Sequence, residues 1–175
     1  MTKADRLREY LTAAIPALKD NPDRFQVFVD KGSLRATGAP GAGGVIAFEK
    51  AYTCTLLLLD FAGDENAVFL AVIAWLSVHQ VETLQNFDRN RQGVGFECDV
   101  LDAHKVDLQI TLDLTERIGA TPRPAPAQGG YDITVWPEPQ QAGRDVWMDG
   151  PAFPPLVGSI YVGGELIAEL PPHDG

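Results

Sequence analysis

Asp60, Asp64 and Glu65 stand within six residues of one another, close enough in the chain to raise the question of a hard cation held by carboxylate oxygens. Their spacing does not follow the ligand positions of an EF-hand loop. With Phe61, Ala62 and Gly63 between them they read as an acidic turn in which Gly63 takes positive φ and Asp64 caps a following helix. His79, His104 and His173 lack a second His or Cys at ligand spacing, so each reads as a solvated imidazole. The loop Gly38 to Gly44, GAPGAGG, lacks the Gly-Lys-Ser/Thr ending of a phosphate cradle and runs into a strand pattern instead of a helix. Ser33, Ser77 and Ser159 have no nucleophile-elbow context. These patterns point to a protein that is not an enzyme and uses no cofactor or metal. A catalytic alternative built from Asp60, Asp64 and His79 would announce itself by a metal in the purified protein.

Four acidic residues have a different regularity. In Val94 to Val100 and Val106 to Thr115 apolar and polar residues alternate strictly, the period of a strand with one face buried. Glu97, Asp99, Asp107 and Asp113 share the outward phase, and Val94, Phe96, Leu108 and Ile110 the inward one. The short link between the runs makes them an antiparallel hairpin. The plain reading of such a face is the solvated side of an antiparallel sheet, kept wet and soluble by its acids.

The elements that must hold this hairpin are legible in order. Leu7, Leu11, Ala14, Ile15 and Leu18 recur at helical spacing, with Thr2 and Asp5 as a capping box and Pro16 as a kink or break. Phe25 to Asp30 reads as a strand. Ile46 to Leu59 reads as a longer one, its far end apolar on both faces. Ala67 to Leu76 is an unbroken apolar run, too short to span a bilayer and so a core helix, with Trp75 on the stripe of Val68 and Val72. Thr83 to Arg91 is polar and reads as a loop. The fold expected is α+β: a mixed or antiparallel four-stranded sheet with helices on one face, in the order helix, strand, strand, helix, strand, strand.

Composition changes after residue 118. Residues 119 to 175 hold 10 of the 13 prolines, which marks an extension distinct from a 1–118 core domain. Tyr131 to Val135 and Val146 to Met148 are short strand candidates within it. Ser159 to Leu170 contains Gly163-Gly164 between short apolar runs, the signal of a two-residue β-hairpin, and offers Tyr161, Val162 and Leu166 as contact residues. Deleting Pro151 to Gly175 is expected to abolish assembly while leaving the core folded.

The net charge of −10 sets the surface against nucleic acid, because Lys and Arg are gathered nowhere into a patch, and no specific nucleic-acid binding is expected. A charged start without a signal-peptide core implies the cytoplasm and no membrane association. Cys54 and Cys98 both fall on the inward phase of strands and read as buried thiols.

Five stretches in one order, LREYLTAAIPALKDNPDRFQVFVDKGSLRATG, FEKAYTCTLLLLDFAGDENA, AWLSVHQ, FECDVLDAHKVDLQITLDLTER and WPEP, resemble the successive signatures of the phage tail completion protein R family of contractile-tailed temperate phages and their defective relatives. The likeness runs from about Leu7 to Pro139, with a weaker echo in IYVGGELIAEL. It departs at Gln80-Val81-Glu82, where Gln-Pro-Glu is expected. The resemblance implies a structural protein of the virion tail, similar in fold to tail terminators, assembled in the bacterial host cytoplasm. It would cap the head-proximal end of the tail and support head joining. Its implied partners are further copies of itself in a homo-hexameric ring, the tail tube or sheath, and the head-tail connector; in such a ring Glu97, Asp99, Asp107 and Asp113 would make a negatively charged wall past which DNA slides without sticking. The alternative is an assembly chaperone or adaptor that does not stay in the particle.

Overall fold

The structure, a computed structural model, describes residues 2–36, 40–85, 94–102, 104–124, 130–136 and 158–171. Helix α1 (Lys3–Ala14) opens with the expected capping box, the Thr2 amide donating to Asp5 at 2.9 Å and the Asp5 amide to the Thr2 hydroxyl at 3.2 Å. The Thr2 hydroxyl, donating to the Asp5 carboxylate at 2.7 Å, and the Thr2 amide beside it hold that carboxyl below its usual range. Ile15 leaves helical geometry, so Pro16 falls at the first turn of a second helix α2 (Pro16–Asp20), where its missing N–H costs no bond.

Strands β1 (Phe25–Ala36) and β2 (Ile46–Phe61) pair antiparallel. Helix α3 (Glu65–His79) and a short α4 (Val81–Gln85) separate them from β3 (Val94–Val100) and β4 (Val106–Pro122). The sheet runs β1-β2-β4-β3 with every neighbouring pair antiparallel. It is the expected antiparallel sheet with a fifth strand added. Strand β5 (Tyr131–Trp136) pairs with Arg117 to Pro122 of β4, beyond the stretch that β3 covers. Position 118 therefore lies inside a continuous strand. The polar run after α3 is not wholly loop, since Val81 to Gln85 is helical; residues 86–91 and the strand candidate at 146–148 lie outside the described residues.

Helices α1 and α3 cover one face of the sheet. Leu7 and Leu11 meet Val68, Val72 and Trp75 over Leu108, Ile110 and Leu112, all buried. No described helix is long and apolar enough to cross a membrane. Asp64 caps α3 by accepting from the Asn66 amide at 2.8 Å. Gly63 is needed for a reason other than positive φ. A Cβ there would come within 2.6 Å of the Phe61 ring, whereas the positive φ of this turn belongs to Asp60.

Strands β6 (Ser159–Val162) and β7 (Glu165–Glu169) form the expected hairpin, with both Gly163 and Gly164 at positive φ. It is not an appendage to the core. Ile160, Ala168 and Leu170 are buried in the same apolar cluster as α1 and α3. Burying two such side chains contributes about 3 to 5 kcal/mol, so removing residues 151–175 weakens the fold itself. That corrects the expectation that the hairpin adds only function.

Cys54 lies fully buried, and burial, with Asp30 nearby, pushes its thiol up to about 11. At pH 8 alkylation of Cys54 in the native protein should be at least about 100-fold slower than in the denatured chain, as read by mass spectrometry. Native-state labelling at the denatured rate would contradict this packing. Cys98 corrects its expectation. It is exposed, because β3 is an edge strand that the helix layer covers only in part.

Candidate interaction surfaces

Register places Glu97, Asp99, Asp107 and Asp113 on the sheet face opposite the helices. Glu97 stands across from Gln109, Asp99 across from Asp107, and Asp113 across from Thr53 of β2. Two of the four are engaged within the fold. The Asp107 carboxylate accepts from the Asp60 amide at 2.8 Å, which holds the left-handed residue of the β2 bulge in place, and Asp113 accepts from the Thr53 hydroxyl at 2.9 Å. Glu97 and Asp99 are exposed on the edge strand. Lys31, Arg35 and Arg117 lie on this same face toward its far end, Arg35 3.9 Å from Glu49, so the face is acidic at one end and mixed at the other.

The helix side of β3 departs from expectation. Leu108 and Ile110 are covered as anticipated, but Phe96 on the same face is 62% exposed and touches only the rim of α3, its ring 4.8 Å from that of Phe69. Val100 is 75% exposed. Alternation reports which way a side chain points, and coverage depends on how far the helix layer reaches. On α3 itself Leu70 and Ile73 face outward uncovered. Tyr161 and Leu166 oppose each other on the outer side of the hairpin, with Val162 beside its turn, all exposed.

The structure also contains a buried polar network that sequence reading missed. Glu116 is 1% exposed and accepts from the Lys3 amide and, at 2.9 Å, from the Tyr52 hydroxyl. Burial and the Glu116 charge beside it push the Tyr52 phenol far above its usual value. Gln80 closes the gap between β3 and β5 along the edge of β4. Its Oε1 accepts from the Thr115 amide at 3.2 Å and from Lys3 Nζ at 2.7 Å, and its Nε2 donates to the Thr115 hydroxyl at 2.9 Å. One signal was present: Glu116 occupies the inward phase of β4 between Leu114 and Ile118, where an acidic residue requires a partner.

The catalytic alternative is not assembled. Asp60 and Asp64 precede α3 and His79 ends it, about 20 Å away along a helix of this length, and His79 stacks against Trp75 with ring centroids 4.7 Å apart. Among the described residues no group of three or more His, Cys, Asp or Glu could hold a metal ion.

The scaffold is α+β, with an outer sheet face and strand edges that no described helix covers, and comparison places it with the tail completion proteins of phages. The chain belongs to the family of P2 phage tail completion protein R (GpR), whose model matches residues 1–139. It is similar to tail completion protein R of Escherichia phage P2, with 38% identity over 117 residues, 67% of this chain and 73% of that protein. No solved structure matches the chain significantly.

Proposed function

We propose that this protein finishes the head-proximal end of a contractile phage tail and prepares it for head joining. In this reading it acts as a homo-hexameric ring, assembled in the host cytoplasm, that contacts the tail tube or sheath below and the connector above. The observation that carries the reading is family membership across 1–139, which takes in every strand of the five-stranded sheet. The acidic end of the outer face fits it. Asp113 and Asp107, repeated around a ring, would repel DNA from the channel wall and let it pass. Tyr161, Val162 and Leu166 are the surface offered to a neighbouring tail component.

Mass spectrometry of purified particles tests the reading. A structural cap predicts a few copies per particle, at ring stoichiometry relative to tube subunits. Absence from particles whose assembly still requires the gene would instead make the protein a chaperone or adaptor that leaves after assembly.

A further inference from the structure

Among the described residues strand β1 is one open edge of the sheet, and β3, with β5 beyond it along β4, is the other; the side chains of β1 and β3 are complementary. On the outer face the β3 edge carries Glu97 and Asp99, whereas the β1 edge carries Lys31 and Arg35, with Asp30 at the bulge accepting from the Thr55 hydroxyl of the neighbouring strand. On the helix face the β3 edge leaves Phe96 and Val100 uncovered, and the β1 edge leaves Leu34 70% exposed. Long unpaired edges with uncovered apolar side chains are a liability unless something pairs with them. Either edge against its own kind would oppose like charges. Edge β3 against edge β1 brings acid to base on one face and apolar to apolar on the other.

Strand direction permits this pairing. The order β1-β2-β4-β3 alternates in direction, so β3 runs opposite to β1. A second copy in the same orientation therefore presents its β1 antiparallel to the first copy's β3, and the sheet continues from copy to copy. We infer that the protein self-associates head to tail through β3 of one copy and the Lys31 to Ala36 segment of β1 of the next, with Asp99 opposite Lys31, Glu97 opposite Ser33 and Phe96 opposite Leu34. The contact also relieves a strain within the chain. Asp99 faces Asp107 across the β3–β4 pair, a like-charge opposition that an adjacent Lys31 offsets.

The stagger is compatible with a closed assembly. Lys31 is level with Asp113, one position beyond Leu112, the partner of Val94, so bringing it beside Asp99 slides the neighbour by about six residues, roughly 20 Å. Over four strands, roughly 19 Å wide, that slide is a strand tilt of about 45°, at the upper end of the range in closed sheets. The inference rests on the self-assembly in the functional reading above and names the surface that makes it.

The test uses the full chain and two charge reversals, Lys31→Glu with Arg35→Glu, and Glu97→Lys with Asp99→Lys, with mass in solution as the readout. Wild type should run as a multi-copy species. Each variant alone, with two edges of one sign, should fall to the 19.0 kDa single-chain mass. Mixed one to one, the variants complement each other at both edges and should regain the multi-copy mass as alternating assemblies. Variants that keep the wild-type mass, or folded variants whose mixture stays at single-chain mass, overturn the contact. Should a reversal fail to fold, Ser33→Cys with Glu97→Cys in a Cys98→Ser background reads the same contact: oxidation should give a ladder of linked chains, and its absence overturns the proposal. A wild-type oligomer indifferent to all these changes removes the edge contact and leaves tail completion standing. A wild type that is single-chain at all concentrations and yields no ladder overturns the contact, while particle composition continues to judge the tail role.

Discussion

Trp75→Ala is expected to destabilise the fold by about 3 to 5 kcal/mol, enough to leave many single domains largely unfolded. Trp75 is buried where α3 meets α1 and the sheet, with Val68 and Val72 on the same stripe. Truncation removes the largest apolar side chain from that junction and opens a cavity that rigid neighbours on three sides cannot collapse into. Urea unfolding followed by fluorescence of the remaining tryptophans or by circular dichroism reads the change. A midpoint unmoved from wild type would mean that α3 does not pack through this side chain.

Glu116→Ala is expected to cost about 2 to 5 kcal/mol by a different mechanism. Besides the space left by a buried side chain, the loss is polar. The substitution strands the Lys3 amide and the Tyr52 hydroxyl without an acceptor in a place water does not reach, and it removes a negative charge from beside the Lys3 chain, which is itself buried against Gln80. Glu116→Gln keeps an acceptor oxygen at the same reach and should recover part of the loss. Equal stability of the Ala variant and wild type would show that these donors find water, contrary to the burial of Glu116. The network ties the start of α1 and the end of α3 to one short stretch of β4, so its loss should also loosen the gap that Gln80 fills between β3 and β5.

How much of this was legible follows from how far apart the interacting residues lie in the chain. The caps at Thr2 and Asp64, the break at Pro16 and the turn at Gly163-Gly164 are each decided within about four residues, and all were readable. The strict alternation of β4 identified its buried side, because Leu108, Ile110, Leu112 and Leu114 are packed whichever helix covers them. Phe96, Cys98 and Val100 have the same alternation, yet they end up exposed. Period 2 fixes phase and cannot report that β3 is at the edge, a fact of strand order. The Lys3–Gln80–Thr115–Glu116 network joins residues up to 113 positions apart, and only the misfit of a glutamate on an apolar phase hinted at it. The docking of β5 and of Ile160 onto the core was hidden for the same reason. Proline-rich composition suggests a break in the fold, and these two short elements pack across it.

The charge pattern carries the functional argument from single chain to assembly. Acidic and basic residues share one sheet face but occupy opposite edges, an arrangement that favours one copy meeting another in a single sense. The proposed ring at the end of a tail would require that sense, since such rings are built from heterologous contacts.

The central claim is the position of the protein in the particle, and electron microscopy of purified tails carrying an affinity label on this chain measures it directly. The account predicts label at one end of each tail, the end away from the baseplate, where the head attaches. Label at the baseplate, along the shaft, or absent from finished tails would contradict it.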